Sequence, residues 1–123
     1  MSRSATILII EDNEQNLYLM RFLLERHGFT VEAATDGRQG IDLARRLVPA
    51  MILLDIQLPL LDGYAVAREL RLHADLKDIP IVAVTSYAMP GDREKCLAAG
   101  ATDYVEKPID PEKIGRASCR ERV

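Results

Sequence analysis

Residues 51–55 read Met51-Ile52-Leu53-Leu54-Asp55, four apolar side chains ending on a carboxylate. A short run that is apolar on every residue is the pattern of a strand buried on both faces, as in the middle of a parallel sheet. Two more runs share it, Ile7-Leu8-Ile9-Ile10 and Ile81-Val82-Ala83-Val84. Thr30-Val31-Glu32-Ala33-Ala34 is a weaker version, and Asp103-Tyr104-Val105-Glu106-Lys107 alternates as an edge strand does.

Helical patterns fill the intervals. Leu17, Met20, Leu23, Leu24 and His27 recur at three- and four-residue steps, and Gly28 follows as a stop. Ile41, Ala44, Leu47 and Val48 form a second stripe before Pro49, and Val66, Ala67 and Leu70 a third. The stretch from Asp92 to Ala99, ended by Gly100, is the fourth. Strands alternating with helices predict βαβ units with right-handed crossovers, hence a doubly wound α/β sheet. Asp110 and Pro111 start a fifth helix, but Gly115 follows at once. The last nine residues have no apolar stripe and set three arginines against one glutamate. The expected division is therefore a domain over 1–114 and an atypical tail over 115–123, with an incomplete fifth helix.

The chain has 123 residues, 48% hydrophobic and 28% charged, with a net charge of −3. That suits one domain with its own core. The charge disfavours a nucleic-acid surface, which needs clustered Lys and Arg. The apolar runs are too short to span a membrane, and no export signal opens the chain. Cys96 and Cys119 have neither metal-ligand spacing nor a disulfide framework, so a cytoplasmic location is expected.

In open parallel sheets, ligands bind beyond the carboxyl ends of the strands. There the sequence places Glu11 and Asp12, then Asp55, then Thr85 and Ser86, then Lys107. Each has an ordinary reading: Glu11-Asp12 at a helix start, Asp55 as a loop cap, Thr85 bonded to backbone, Lys107 in solvent. Together, on successive strand ends, they pose an electrostatic problem. Three carboxylates in one pocket repel, and a hard divalent cation with oxygen ligands resolves this. Mg²⁺ characteristically combines a few carboxylates with waters and a phosphate. A carboxylate beside such an ion can attack phosphorus to give an acyl phosphate, with a lysine neutralising the transferring group.

These motifs resemble the response regulator receiver domains of two-component signalling. The resemblance runs from about Thr6 to Asp110. It rests on Ile-Leu-Ile-Ile-Glu-Asp-Asn, on Leu-Leu-Asp-Ile-Gln-Leu-Pro followed by Asp62-Gly63, on Val-Thr-Ser-Tyr-Ala, and on Gly-Ala-Thr-Asp-Tyr-Val-Glu-Lys-Pro. The wording is similar to single-domain regulators of the DivK type and to receivers of hybrid kinases. It implies a flavodoxin-like sheet of five parallel strands in the order 2-1-3-4-5. It implies that Asp55 is the phosphoacceptor, and that Asp12, Asp55 and the backbone carbonyl of Gln57 ligate Mg²⁺ while Glu11 holds a metal-bound water. Lys107 would pair with the phosphoryl group, Thr85 would swing toward it, and Tyr104 would change rotamer. Gln57 and Tyr87 would modulate dephosphorylation, and Lys107-Pro108 falls where the family keeps a cis peptide.

The expected function is a switch, not a dedicated enzyme. It would be phosphorylated by a sensor histidine kinase or phosphotransfer protein and read by a downstream protein partner, with no nucleic acid or membrane partner. A homodimer is compatible with this. A haloacid-dehalogenase-type phosphatase would want a second Asp where Gln57 stands. A flavin binder would need a Ser-, Thr- and Gly-rich phosphate loop where Glu11-Asp12-Asn13-Glu14 stands. A degenerate receiver would lack some of these site residues.

Overall fold

The computed structural model describes residues 6–58, 62–86, 88–107, 109–110 and 112. The chain runs β1 (Thr6–Ile10), α1 (Glu14–Arg26), β2 (Thr30–Ala34), α2 (Gly37–Leu47), β3 (Met51–Asp55) and α3 (Gly63–Leu72). After a 3₁₀ turn at Ala74–Leu76 come β4 (Ile81–Thr85), α4 (Asp92–Ala99) and β5 (Asp103–Glu106). The five strands form one parallel sheet in the order β2-β1-β3-β4-β5, the expected topology.

Alternation along the strands explains the apolar runs. Leu8, Ile10, Ile52, Leu54, Ile81 and Ala83 face one core, covered by Ile41 and Ala44 of α2, Val66 and Leu70 of α3, and Cys96 of α4. Ile7, Ile9, Met51, Leu53, Val82 and Val84 face a second core, covered by Met20 and Leu24 of α1. With both faces covered, no strand-interior position of β1, β3 or β4 is left for a polar residue.

Three helix starts are capped by short polar side chains. Asn13 accepts from the Asn16 amide at 2.8 Å, Asp36 from Gln39 at 2.8 Å, and Asp62 from Ala65 at 2.9 Å. The caps of α1 and α3 close the loops that follow β1 and β3, and so fix where Asp12 and Asp55 stand. Gly28 and Gly100 end α1 and α4 with φ of 92° and 117°.

Three details differ from the sequence reading, the first being Leu47, which lies in α2 but is 39% exposed at its last turn. Val48 does not belong to the α2 stripe. It is the left-handed cap after Leu47, with φ 44° and 47% exposure, because the helix must stop before Pro49. β5 stops at Glu106, one residue short of the expected strand. Asp110 Oδ1 accepts from the Glu112 amide at 3.0 Å, the kind of bond an N-cap makes. The expectations for Pro59, Tyr87, the Lys107–Pro108 peptide and the 115–123 tail lie outside the described residues.

Candidate functional site at the carboxyl edge of the sheet

The sheet register brings four strand ends level. Ile10 pairs with Leu54, Asp55 with Val84, and Thr85 with Glu106. Asp55 and Thr85 close β3 and β4, Glu11 directly follows β1, and the three are 1% (Glu11), 4% (Asp55) and 0% (Thr85) exposed. Asp12, one residue further along, is exposed.

One ligand oxygen from each of Glu11, Asp12 and Asp55 falls within 4.8 Å of the others. Lys107 reaches the same place from the end of β5. Its backbone amide is fixed by the Thr85 carbonyl at 2.7 Å. Its Nζ donates to Glu11 Oε1 at 2.6 Å and lies 3.8 Å from Asp55 Oδ2. The remaining oxygens are oriented by local backbone: Asp55 Oδ1 accepts from the Gln57 amide at 2.9 Å, and Glu11 Oε2 from the Asn13 amide at 3.2 Å.

The structure thus brings Glu11, Asp12, Asp55 and Lys107 together, with Thr85 at the adjacent strand end. It pairs Lys107 most closely with Glu11, a contact the sequence reading did not contain. Tyr104 lies elsewhere, packed against the larger core with its hydroxyl 3.4 Å from Asp92 Oδ2.

Burial pushes the Glu11 carboxyl above its ordinary value. The Lys107 hydrogen bond opposes this shift, and the neighbouring Asp55 charge adds to it. A carboxyl with a raised native pKa binds its proton more tightly when folded. Above that pKa its ionisation therefore opposes folding, and the cost disappears as pH falls through the native value toward the ordinary one. In metal-free buffer, Glu11→Gln is accordingly expected to be most stable relative to the parent at neutral pH. That advantage should shrink as pH falls through this window. Denaturant melts of both proteins across the window check it, and a difference independent of pH contradicts it.

Comparison with known proteins agrees with this geometry. The pattern described as "Response regulator receiver domain" matches residues 7–118. The polar-differentiation response regulators DivK of Brucella ovis and Brucella anthropi are each 41% identical over 104 residues, covering 85% of this chain and 85% of theirs. Among solved structures, the receiver domain of a sensor histidine kinase from Pseudomonas aeruginosa PAO1 has magnesium coordinated in its active-site cleft. It superposes with a TM-score of 0.85 at 38% identity, over 95% of this chain and 96% of that one. The Vibrio cholerae chemotaxis protein CheY4 gives a TM-score of 0.86 at 26% identity, over 95% and 98%. The chain belongs to the response regulator receiver domain family, the phosphoacceptor switches of two-component signalling.

One residue near the site, Asp92, has contacts that the sequence pattern does not show. In sequence, Asp92 is only the first residue of the fourth helical stretch. Asp92 following Gly91 at a helix start that lacks Ser, Thr, Asn or Asp as a cap was the one available signal.

Proposed function

We propose that Asp55 accepts a phosphoryl group from a sensor histidine kinase or phosphotransfer protein, and that the chain signals through surface contacts with a downstream protein. The observation that carries this is the convergence of three strand-end carboxylates within 4.8 Å, with the Lys107 ammonium among them. An all-oxygen donor set of this kind suits a hard dication. Asp12, Asp55 and the Gln57 carbonyl would hold Mg²⁺, with Glu11 acting through a water. When bound, the ion neutralises charge on the transferring phosphoryl group.

The chain's own residues account for the rest. The Gln57 amide holds Asp55 Oδ1, leaving Oδ2 on the Lys107 side as the attacking oxygen. Oδ2 forms the new O–P bond as the donor's N–P bond breaks, and the leaving nitrogen takes the electron pair. Lys107 would then face the added negative charge. The Thr85 hydroxyl, at the next strand end, would bond a phosphoryl oxygen. Burial of Asp55 and Glu11 keeps these interactions in a low-dielectric setting, where they are stronger.

This is a self-modifying switch rather than an enzyme acting on other substrates, and a cytoplasmic setting fits its phosphodonors. Among the described residues, no helix is long and apolar enough to cross a membrane. Incubation with a small phosphodonor and Mg²⁺, followed by borohydride reduction, tests the assignment. An acyl phosphate on Asp55 is expected to be reduced to homoserine at that position and nowhere else. Reduction at another carboxylate contradicts it.

A further inference from the structure

Helix α4 begins without the side-chain cap that α1, α2 and α3 possess. Its N-cap is Gly91, at φ 89°, with no side-chain hydrogen bond. The next residue, Asp92, turns its carboxylate back instead. Oδ2 accepts from the Met89 amide at 2.9 Å and stands 3.4 Å from the Tyr104 hydroxyl, and Oδ1 stands 3.4 Å from the Tyr64 hydroxyl. One carboxylate thus links the β4–α4 loop, α3 and β5. A second, exposed link joins the same helical turn to β5, Arg93 to Asp103 at 3.6 Å.

From this convergence we infer that Asp92 is a positioning residue. It couples Tyr104 to the start of α4, so that a change at Tyr104 displaces β5 and α4 together. Two facts support the contact beyond distance. Both rings pack, partly buried, against the larger core, which limits how far either can swing away from Asp92. Both phenols are protonated and able to donate: burial first, with the Asp92 carboxylate adding, pushes Tyr64 up to about 12 and raises Tyr104. A single acceptor shared by two donors on different elements is the kind of contact through which a local shift becomes a concerted one. The inference deepens the switch reading above and rests on it. The phosphoacceptor site supplies the signal, and Asp92 determines what moves with it.

The test is a mutant cycle with two readouts. In ¹⁵N-labelled protein with Mg²⁺, beryllofluoride stands in for the phosphoryl group. The parent is expected to shift amides at the site and across 88–100 and 103–107. In Asp92→Ala the shifts at Asp55, Thr85 and Lys107 should persist, while those across 93–100 fall by about three-fold or more. Tyr104→Phe, which removes one hydroxyl and leaves the helix start intact, should reproduce that loss. Arg93→Ala should not. Without any ligand, adding Tyr104→Phe to Asp92→Ala should lower the melting temperature no further than Asp92→Ala alone. Undiminished α4 shifts in Asp92→Ala, or fully additive melting losses, overturn the coupling. Absence of any beryllofluoride response in the parent overturns the phosphoacceptor reading instead, and the melting cycle still decides whether Asp92 and Tyr104 act as one unit.

Discussion

Replacing Gly63 with alanine is expected to cut phosphoryl acceptance by about ten- to a hundred-fold, although no proposed site side chain is itself altered. The reason is steric. A Cβ at Gly63 would sit 2.3 Å from Ile56 Cα and 2.8 Å from the Asp55 carbonyl oxygen, both backbone atoms that cannot rotate away. The first turn of α3 packs directly on the chain that leaves the proposed acceptor, and the Gly63 amide closes that loop on the Ile56 carbonyl at 3.3 Å. The added methyl must push either α3 or residues 55–56 by an ångström or more. Overpacking of this kind costs about 1–3 kcal/mol. Displacing Asp55 from the other carboxylates has the larger functional effect, because phosphoryl transfer depends on positioning. Gly28→Ala separates the two effects. Its Cβ meets nothing within 4 Å but sits at φ +92°. It should lose stability to backbone strain and keep its phosphorylation rate. Equal rates for Gly63→Ala and the parent would contradict the account.

Arg71→Ala should lower stability by about 3 kcal/mol, on the order of 10 °C in melting temperature. The Arg71 guanidinium donates to the carbonyls of Ile79 at 2.6 Å, Gly100 at 2.7 Å, Leu76 at 3.0 Å and Lys77 at 3.1 Å. It also donates to Thr102 Oγ1 at 3.2 Å, and that hydroxyl oxygen in turn accepts from the Ile81 amide at 3.1 Å. One side chain thus gathers the end of α3, the 3₁₀ turn, the entry to β4 and the α4–β5 loop. All of these lie at the edge of the sheet opposite the carboxylate cluster. Truncation leaves several carbonyls without their charged donor at once. Arg71→Lys should recover little, since a single ammonium cannot reach this spread of acceptors in the geometry of a planar fork. Because the node is remote from the carboxylates, phosphorylation of the folded fraction is expected to stay near the parent rate. Chemical denaturation with both variants checks the stability loss, and a change below about 1 kcal/mol would count against the assigned role.

The fold was legible because its signals are local. Residues 51–54, apolar on every position and repeated in two similar runs between helical stretches, read as strands covered on both faces, and the parallel sheet follows from that alternation. The carboxylates were legible for a related reason: Glu11 and Asp55 are the first residues after such runs, and topology alone brings those ends together. What stayed hidden depends on partners far along the chain. Arg71 is defined by a carbonyl 29 residues away. Asp92 is defined by hydroxyls 28 and 12 residues away, on different elements. Neither residue type nor periodicity announces such contacts. Val48 was misplaced because an apolar residue at helical spacing reads as core, whereas the proline after it forces the helix to end and turns Val48 outward. The Lys107–Glu11 pair was within reach of the reading, since both residues were placed on the same rim. The ammonium was assigned there to the phosphoryl group, although Glu11 is the more deeply buried carboxylate and the one most in need of a counter-charge.

Intact mass after incubation with a small phosphodonor, with and without Mg²⁺, tests the central claim most directly. The parent is expected to gain the mass of one phosphoryl group, and to do so only when Mg²⁺ is present. Asp55→Asn, which keeps the size of the side chain but removes the nucleophilic carboxylate, should gain nothing. An undiminished gain in Asp55→Asn, or a gain in the parent that ignores Mg²⁺, would contradict the assignment of Asp55 and its carboxylate neighbours as the phosphoacceptor site.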